Sequence, residues 1–152
     1  MMIKIYLLLF ILPFGFISGK DLGVSKVITI NQDTLLLSDI INNERATLMY
    51  FWATWCETCK RETPKIIDLS NEYPNVQFIP LSYSSPANSV IDYFSNKDYN
   101  MNTYIDYSGS IFSTFNVSAT PTIVIMDKNN KILFNGYKSK RFYKKLLNKL
   151  HS

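Results

Sequence analysis

The chain holds two cysteines, Cys56 and Cys59, three positions apart in Trp55-Cys56-Glu57-Thr58-Cys59, so any sulfur chemistry runs between these two. Thiols at i and i+3 can close a small disulfide when the first sits at a helix start, because the next turn brings the second back over it. There the unpaired backbone N–H groups and the positive helix end stabilise a thiolate. A thiol that ionises at about 8.5 in a free peptide can then fall to roughly 3.5–7.5. Cys56 is the expected attacking thiol and Cys59 the resolving one. A structural staple explains the pair less well, since a bridge with only two intervening residues constrains the unfolded chain little. A zinc site needs about four ligands, and beyond the cysteines the one imidazole is His151, so no metal site is expected.

The flanking sequence has to deliver Cys56 to such a helix end. Thr47 to Ala53 is a continuous apolar, aromatic-rich run that reads as a buried strand. Lys60 to Tyr73, with Ile66, Ile67 and Leu69, reads as a helix with a break or kink near Pro64. Elsewhere strands and helices alternate. Lys26–Ile30 and Thr34–Leu37 form a predicted hairpin around Asn31-Gln32-Asp33, and Ser38-Asp39 begins a short helical turn or loop. Asn75–Tyr83 is a second strand, and Ser85-Pro86 opens a helix to about Asn96. A short extended piece at Thr103–Ile105 and a short helix at Ser110–Phe115 follow. Strands at Thr122–Met126 and Ile132–Tyr137, joined by a turn at Asp127–Asn130, precede a closing helix over Ser139–Leu150. The pattern predicts a single three-layer α/β/α domain with a mixed central sheet and an N-terminal hairpin extension.

Residues 1–19 carry a second signal. Lys4 precedes a thirteen-residue apolar core, Ile5–Ile17, which Ser18-Gly19 follow as small residues suited to a signal peptidase. The expectation is a signal peptide over 1–19, cleaved after Gly19 or retained as an anchor, and a domain over 20–152. The core is short of the roughly 20 residues of a membrane span. Export would place the pair in an oxidising compartment, the periplasm or the outer face of the cytoplasmic membrane, where a chain with no other cysteine cannot mispair with itself. The formal net charge is +4, and removing Lys4 with the leader lowers it by one, leaving about 130 residues. The basic excess lies in Lys138, Lys140, Arg141, Lys144, Lys145 and Lys149, on a segment whose apolar residues recur at helical spacing. It reads as the solvated face of an amphipathic helix, and nothing in it points to nucleic acid.

Phe51-Trp-Ala-Thr-Trp-Cys-Glu-Thr-Cys59, Pro64 eight residues after Cys56, and Ala119-Thr-Pro-Thr122 before an apolar strand together resemble the thioredoxin superfamily. Within it they are similar to the exported TlpA/ResA branch, over roughly residues 24–150. The resemblance implies a cis Thr120-Pro121 bond facing the cysteine pair, with Thr120 and Pro121 binding an extended polypeptide substrate. Trp55 would shield the pair and present an apolar docking surface. In thioredoxin an acidic residue six places before the first cysteine helps to move protons. Here that place is Tyr50, which is no carboxylate. Glu62, one helical turn beyond Cys59, matches a glutamate tied to redox function in ResA-like proteins. A partly buried carboxyl there can accept or return the Cys59 proton. The competing account is a solvated glutamate paired with Lys60, Arg61 or Lys65.

Glu57, expected to be exposed, puts negative charge beside Cys56 and opposes thiolate formation, which favours a reductant over a strong oxidant. The resulting expectation is an exported thiol-disulfide oxidoreductase that reduces protein disulfides such as those of apocytochrome c, re-reduced by a membrane thiol-disulfide electron donor and needing no cofactor. A general exported disulfide oxidoreductase and a redox-linked copper chaperone, holding Cu(I) between the two thiolates, remain as alternatives.

Overall fold

The computed structural model describes residues 19–151; the leader expected over 1–19 lies outside these apart from Gly19. The chain begins with α1 (Gly19–Val24), β1 (Lys26–Thr29), β2 (Thr34–Leu36) and α2 (Leu37–Ile40). Then come β3 (Thr47–Trp52), α3 (Glu57–Glu72), β4 (Gln77–Tyr83) and α4 (Ala87–Ser95). It closes with β5 (Tyr104–Asp106), α5 (Ser110–Thr114), β6 (Thr122–Met126), β7 (Ile132–Gly136) and α6 (Lys140–His151). The seven strands form one mixed sheet in the order β2-β1-β5-β4-β3-β6-β7. β3 pairs parallel with β4 and antiparallel with β6, and the N-terminal hairpin joins the sheet edge through β1 and β5.

Because side chains alternate across a strand, a strand covered on both faces must be apolar throughout. β3 is such a strand, with all six residues buried. Leu48, Tyr50 and Trp52 enter one core with Ile66 and Leu69 of α3, Phe94 of α4 and Leu147 of α6. Met49 and Phe51 enter the other, against Leu22 of α1, Leu37 of α2, and Ile111 and Phe112 of α5. These are the two outer layers of the α/β/α sandwich. The basic face of α6 is partly neutralised against α3, where Lys140 bridges Asp68 and Glu72, and Lys144 pairs with Glu72.

The break expected near Pro64 does not occur, since α3 runs continuously from Glu57 to Glu72. Pro64 has no N–H for the Lys60 carbonyl. That carbonyl accepts from the Tyr93 hydroxyl of α4 at 3.3 Å. One residue earlier the Cys59 carbonyl accepts from both the Tyr50 and the Thr63 hydroxyls, each at 2.9 Å. Three side-chain hydroxyls thus restitch the turn that the proline weakens.

At the end of β5 the fully buried Asp106 carboxylate accepts the N–H groups of Ile111 and Phe112 at 2.9 and 3.1 Å, and Ser108 donates to it at 3.0 Å. It satisfies donors of α5 that no intrahelical carbonyl reaches. Asp106→Ala should strand two buried N–H groups and lower the unfolding free energy by roughly 1–3 kcal/mol, measured by urea titration. A loss within experimental error would mean that water replaces the carboxylate.

Candidate functional site

β3 ends with Trp52, and a tight turn follows in which the Cys56 N–H donates to the Ala53 carbonyl at 3.1 Å. Cys56 keeps extended backbone angles as the N-cap of α3. Its sulfur accepts the Cys59 N–H at 3.1 Å, so the reactive atom itself satisfies one of the orphan donors at the helix start. Cys56 and Cys59 are joined as a disulfide, with Cα atoms 5.2 Å apart. Cys56 is 8% exposed and Cys59 fully buried. Cys56 is thus the more accessible of the two cysteines.

The Thr120-Pro121 bond is cis. It brings the Thr120 carbonyl oxygen to 3.6 Å from Cys56 Sγ, across 64 positions of sequence. Trp55 is 65% exposed and lines, with Thr120, a cavity of about 390 Å³ beside the disulfide. Trp52 is fully buried among Tyr50, Tyr93 and Phe94, as expected of a core residue. Cys56, Cys59, Trp55, Thr120 and Pro121 are thus one constellation.

Glu62 follows Cys59 by three residues on α3, a spacing that makes the two neighbours on the helix surface. Its side chain is 13% exposed and pairs with Lys65 at 2.7 Å, and it opens on a separate cavity of about 660 Å³ with Tyr137 and Arg141. Partial burial and the adjoining Glu62 carboxylate push the Tyr137 phenol up. The carboxyl is therefore partly buried and ion-paired at once, combining the two situations weighed from the sequence. Glu57 is exposed and bonded to Lys60 at 2.6 Å, which holds its carboxyl below the usual range. That ammonium offsets part of the repulsion that Glu57 would exert on a Cys56 thiolate.

Sequence reasoning treated Tyr50 as an empty place in a proton path. In the fold its hydroxyl donates to the Cys59 carbonyl at 2.9 Å and lies 3.2 Å from the Thr63 hydroxyl. Burial raises the Tyr50 phenol far above its ordinary value, with the Thr63 hydrogen bond acting the other way. It stays protonated and donating, tying β3 to the residue that carries the resolving thiol. Spacing alone could have flagged it, because Tyr50 alternates with Leu48 and Trp52 toward the face where α3 packs.

A thioredoxin-like family model matches residues 43–132. Over 88 residues the chain is 35% identical to a thioredoxin-like protein of Haemophilus influenzae, covering 58% of this chain and 52% of that one. Over 110 residues it is 27% identical to the thiol-disulfide oxidoreductase ResA of Bacillus thuringiensis subsp. konkukian, covering 70% and 64%. The matched region thus spans about half to two thirds of these curated relatives. A secreted Mycobacterium tuberculosis disulfide oxidoreductase, described as homologous to Escherichia coli DsbE, superposes with a TM-score of 0.74 at 17% identity, over 88% of this chain and all of that one. That likeness establishes the fold.

Tyr50→Phe removes a hydroxyl from a buried carbonyl and should lower the unfolding free energy by about 0.5–1.5 kcal/mol at neutral pH. The folded phenol loses its proton at higher pH than the unfolded value of 10.0, so its contribution is complete below that value and is lost as pH rises through it. The substitution should therefore flatten the alkaline loss of stability by up to about 1.4 kcal/mol per pH unit, read from urea unfolding at stepped pH. Tyr143, raised by burial to about 12, keeps the remaining slope in the same direction.

Proposed function

Since the chain belongs to the thioredoxin-like family, we propose that it is a thiol-disulfide oxidoreductase that works outside the cytoplasm as a reductant of protein disulfides. The observation that carries this reading is the position of Cys56, which caps α3, is bonded to Cys59 and lies beside Thr120 at the cis proline. In the reduced protein the Cys56 thiolate keeps the helix N–H groups as its stabilisers. It attacks one sulfur of a substrate disulfide and the other leaves as a thiol, giving a mixed disulfide. Cys59 then attacks Cys56 Sγ, the substrate departs as its second thiol, and two electrons and two protons have passed to it. A membrane thiol-disulfide donor restores the dithiol.

Glu62 is the proposed proton acceptor for Cys59, one turn away and largely shielded from solvent. Thr120 and Pro121 hold the substrate backbone, and Trp55 shields the pair. Disulfides of apocytochrome c are the substrates that the kinship with ResA favours, with other exported protein disulfides as the broader class. The apolar run at 5–17 supports export, either as a cleaved leader or as an anchor. Among the described residues no helix is long and apolar enough to cross a membrane. The copper-binding alternative is disfavoured by Met49 and Met126. Both are fully buried in the core on the opposite face of the sheet from the cysteines, where they cannot complete a thiolate site.

The deciding measurement is the reduction potential of the Cys56–Cys59 couple, equilibrated against dithiothreitol or glutathione buffers. A value near thioredoxin's, about −270 mV, is expected, and one near about −120 mV would recast the protein as a disulfide donor. Glu62→Gln should change the pH dependence of exchange while leaving the fold, seen by circular dichroism, intact. An unaltered profile would remove Glu62 from the mechanism.

A further inference from the structure

Charge is spread unevenly along the chain. Residues 128–152 hold eight of the 16 Lys and Arg and none of the 12 Asp and Glu, so the rest of the chain is net acidic. The fold gathers most of this basic excess on and just before one helix. α6 follows β7, the edge strand of the sheet, and buries Tyr143 and Leu147. Phe142, Lys145, Leu146 and Lys149, at i, i+3, i+4 and i+7, share another stripe of the helix and line a cavity of about 240 Å³. Phe142 stays 38% exposed although its ring lies 4.8 Å from that of Phe134. Neighbouring acids offset only part of the charge. Asp68 and Glu72 of α3 take up Lys140 and Lys144, and Glu62 takes up Lys65. α6 itself carries no acid, and among the described residues Lys138, Arg141 and Lys145, all exposed, form no ion pair.

From this we infer that α6 is a docking face for an anionic lipid bilayer, with its basic heads among the lipid phosphates and Phe142 and Leu146 entering the apolar boundary beneath them. The inference goes beyond the oxidoreductase reading and does not depend on it, since the cavity on α6 shares no residue with the disulfide or with the cavity at Trp55. Charge complementarity requires an anionic occupant, and the kind of basic residue selects the bilayer. Seven of the eight basic residues in 128–152 are lysine. A lysine is a point charge on a flexible stem, which suits a fluid array of phosphates, whereas fixed carboxylates on a protein favour the planar fork of arginine. Lysine stems also lie along apolar surface while their ammonium heads stay in the polar layer, so an exposed ring among lysines matches the headgroup boundary. Each basic residue brought to such a surface strengthens binding about fivefold, and the three that form no ion pair give about a hundredfold together.

To keep the apolar run at 5–17 from contributing, the test uses the protein from Gly19 onward, which retains every residue of both cores. It is sedimented at physiological salt with vesicles of phosphatidylcholine alone or mixed equally with phosphatidylglycerol. Partitioning onto the mixed vesicles should exceed that onto the neutral ones about a hundredfold, and should collapse at about 1 M salt, where the screening length falls to about 3 Å. Arg141→Gln combined with Lys145→Gln should weaken binding to the mixed vesicles about twentyfold. Lys26→Gln combined with Lys97→Gln removes the same charge from exposed positions on β1 and ahead of β5, and should change it by less than about twofold. Phe142→Ala, read on protein that is folded by circular dichroism, should weaken binding about threefold. Equal partitioning onto the two kinds of vesicle would overturn the docking face, and so would equal losses in the two double variants. Retention by immobilised polyglutamate with the mixed vesicles ignored would overturn it as well, and would mark an acidic protein as the occupant.

Discussion

The sulfur of Cys56 does two jobs that normally fall to different atoms: it caps α3 by accepting the Cys59 N–H, and it bonds to the Cys59 sulfur. A helix start needs an acceptor for its free N–H groups, and a reactive thiol needs donors to stabilise its anion. Placing one atom at both tasks ties the chemistry to the position of a single helix end. The buried strand β3, the turn through Ala53 and the packing of α3 on the sheet all serve to keep that end still.

That fixity is threatened by Pro64, which removes a rung from the helix ladder two turns beyond the cap. The repair comes from three separate elements: Tyr50 of β3, Thr63 of α3 itself and Tyr93 of α4. Each donates a hydroxyl to the Cys59 or the Lys60 carbonyl, so the turn bearing the resolving thiol is bound to the sheet and to a neighbouring helix. A carboxylate at position 50 could not donate in this way when ionised. The tyrosine thus gives positional control to the turn that carries Cys59.

The cavity at Trp55 and the cavity at Glu62 differ in kind. The cavity that Trp55 and Thr120 line is uncharged among the described residues, walled by the rings of Trp55, Tyr83 and Phe112 and by the hydroxyls of Ser108, Ser113, Ser118 and Thr120. The one around Glu62 is ionic, with Lys65 and Arg141 at the rim.

Much of this was legible in the chain itself. The Cys-x-x-Cys pair after a continuous apolar run identifies the strand, the helix and the reactive sulfurs, because burial on both faces and helix capping are local demands that sequence must meet residue by residue. Strand and helix positions elsewhere agree to within a few residues for the same reason, as at β6 and α6. That the helix read over Lys60–Tyr73 runs unbroken past Pro64 was not legible, since two of the three hydroxyls that mend it come from 14 residues upstream at Tyr50 and from 29 residues downstream at Tyr93. Nor was the cavity beside the disulfide, whose lining residues Trp55, Tyr83, Phe112 and Thr120 belong to four segments that only the tertiary structure brings together. Sequence by itself determined which atoms can react and which face of each element is apolar; the tertiary structure alone decided what surrounds those atoms, because that environment is made by contacts between residues that no local pattern relates.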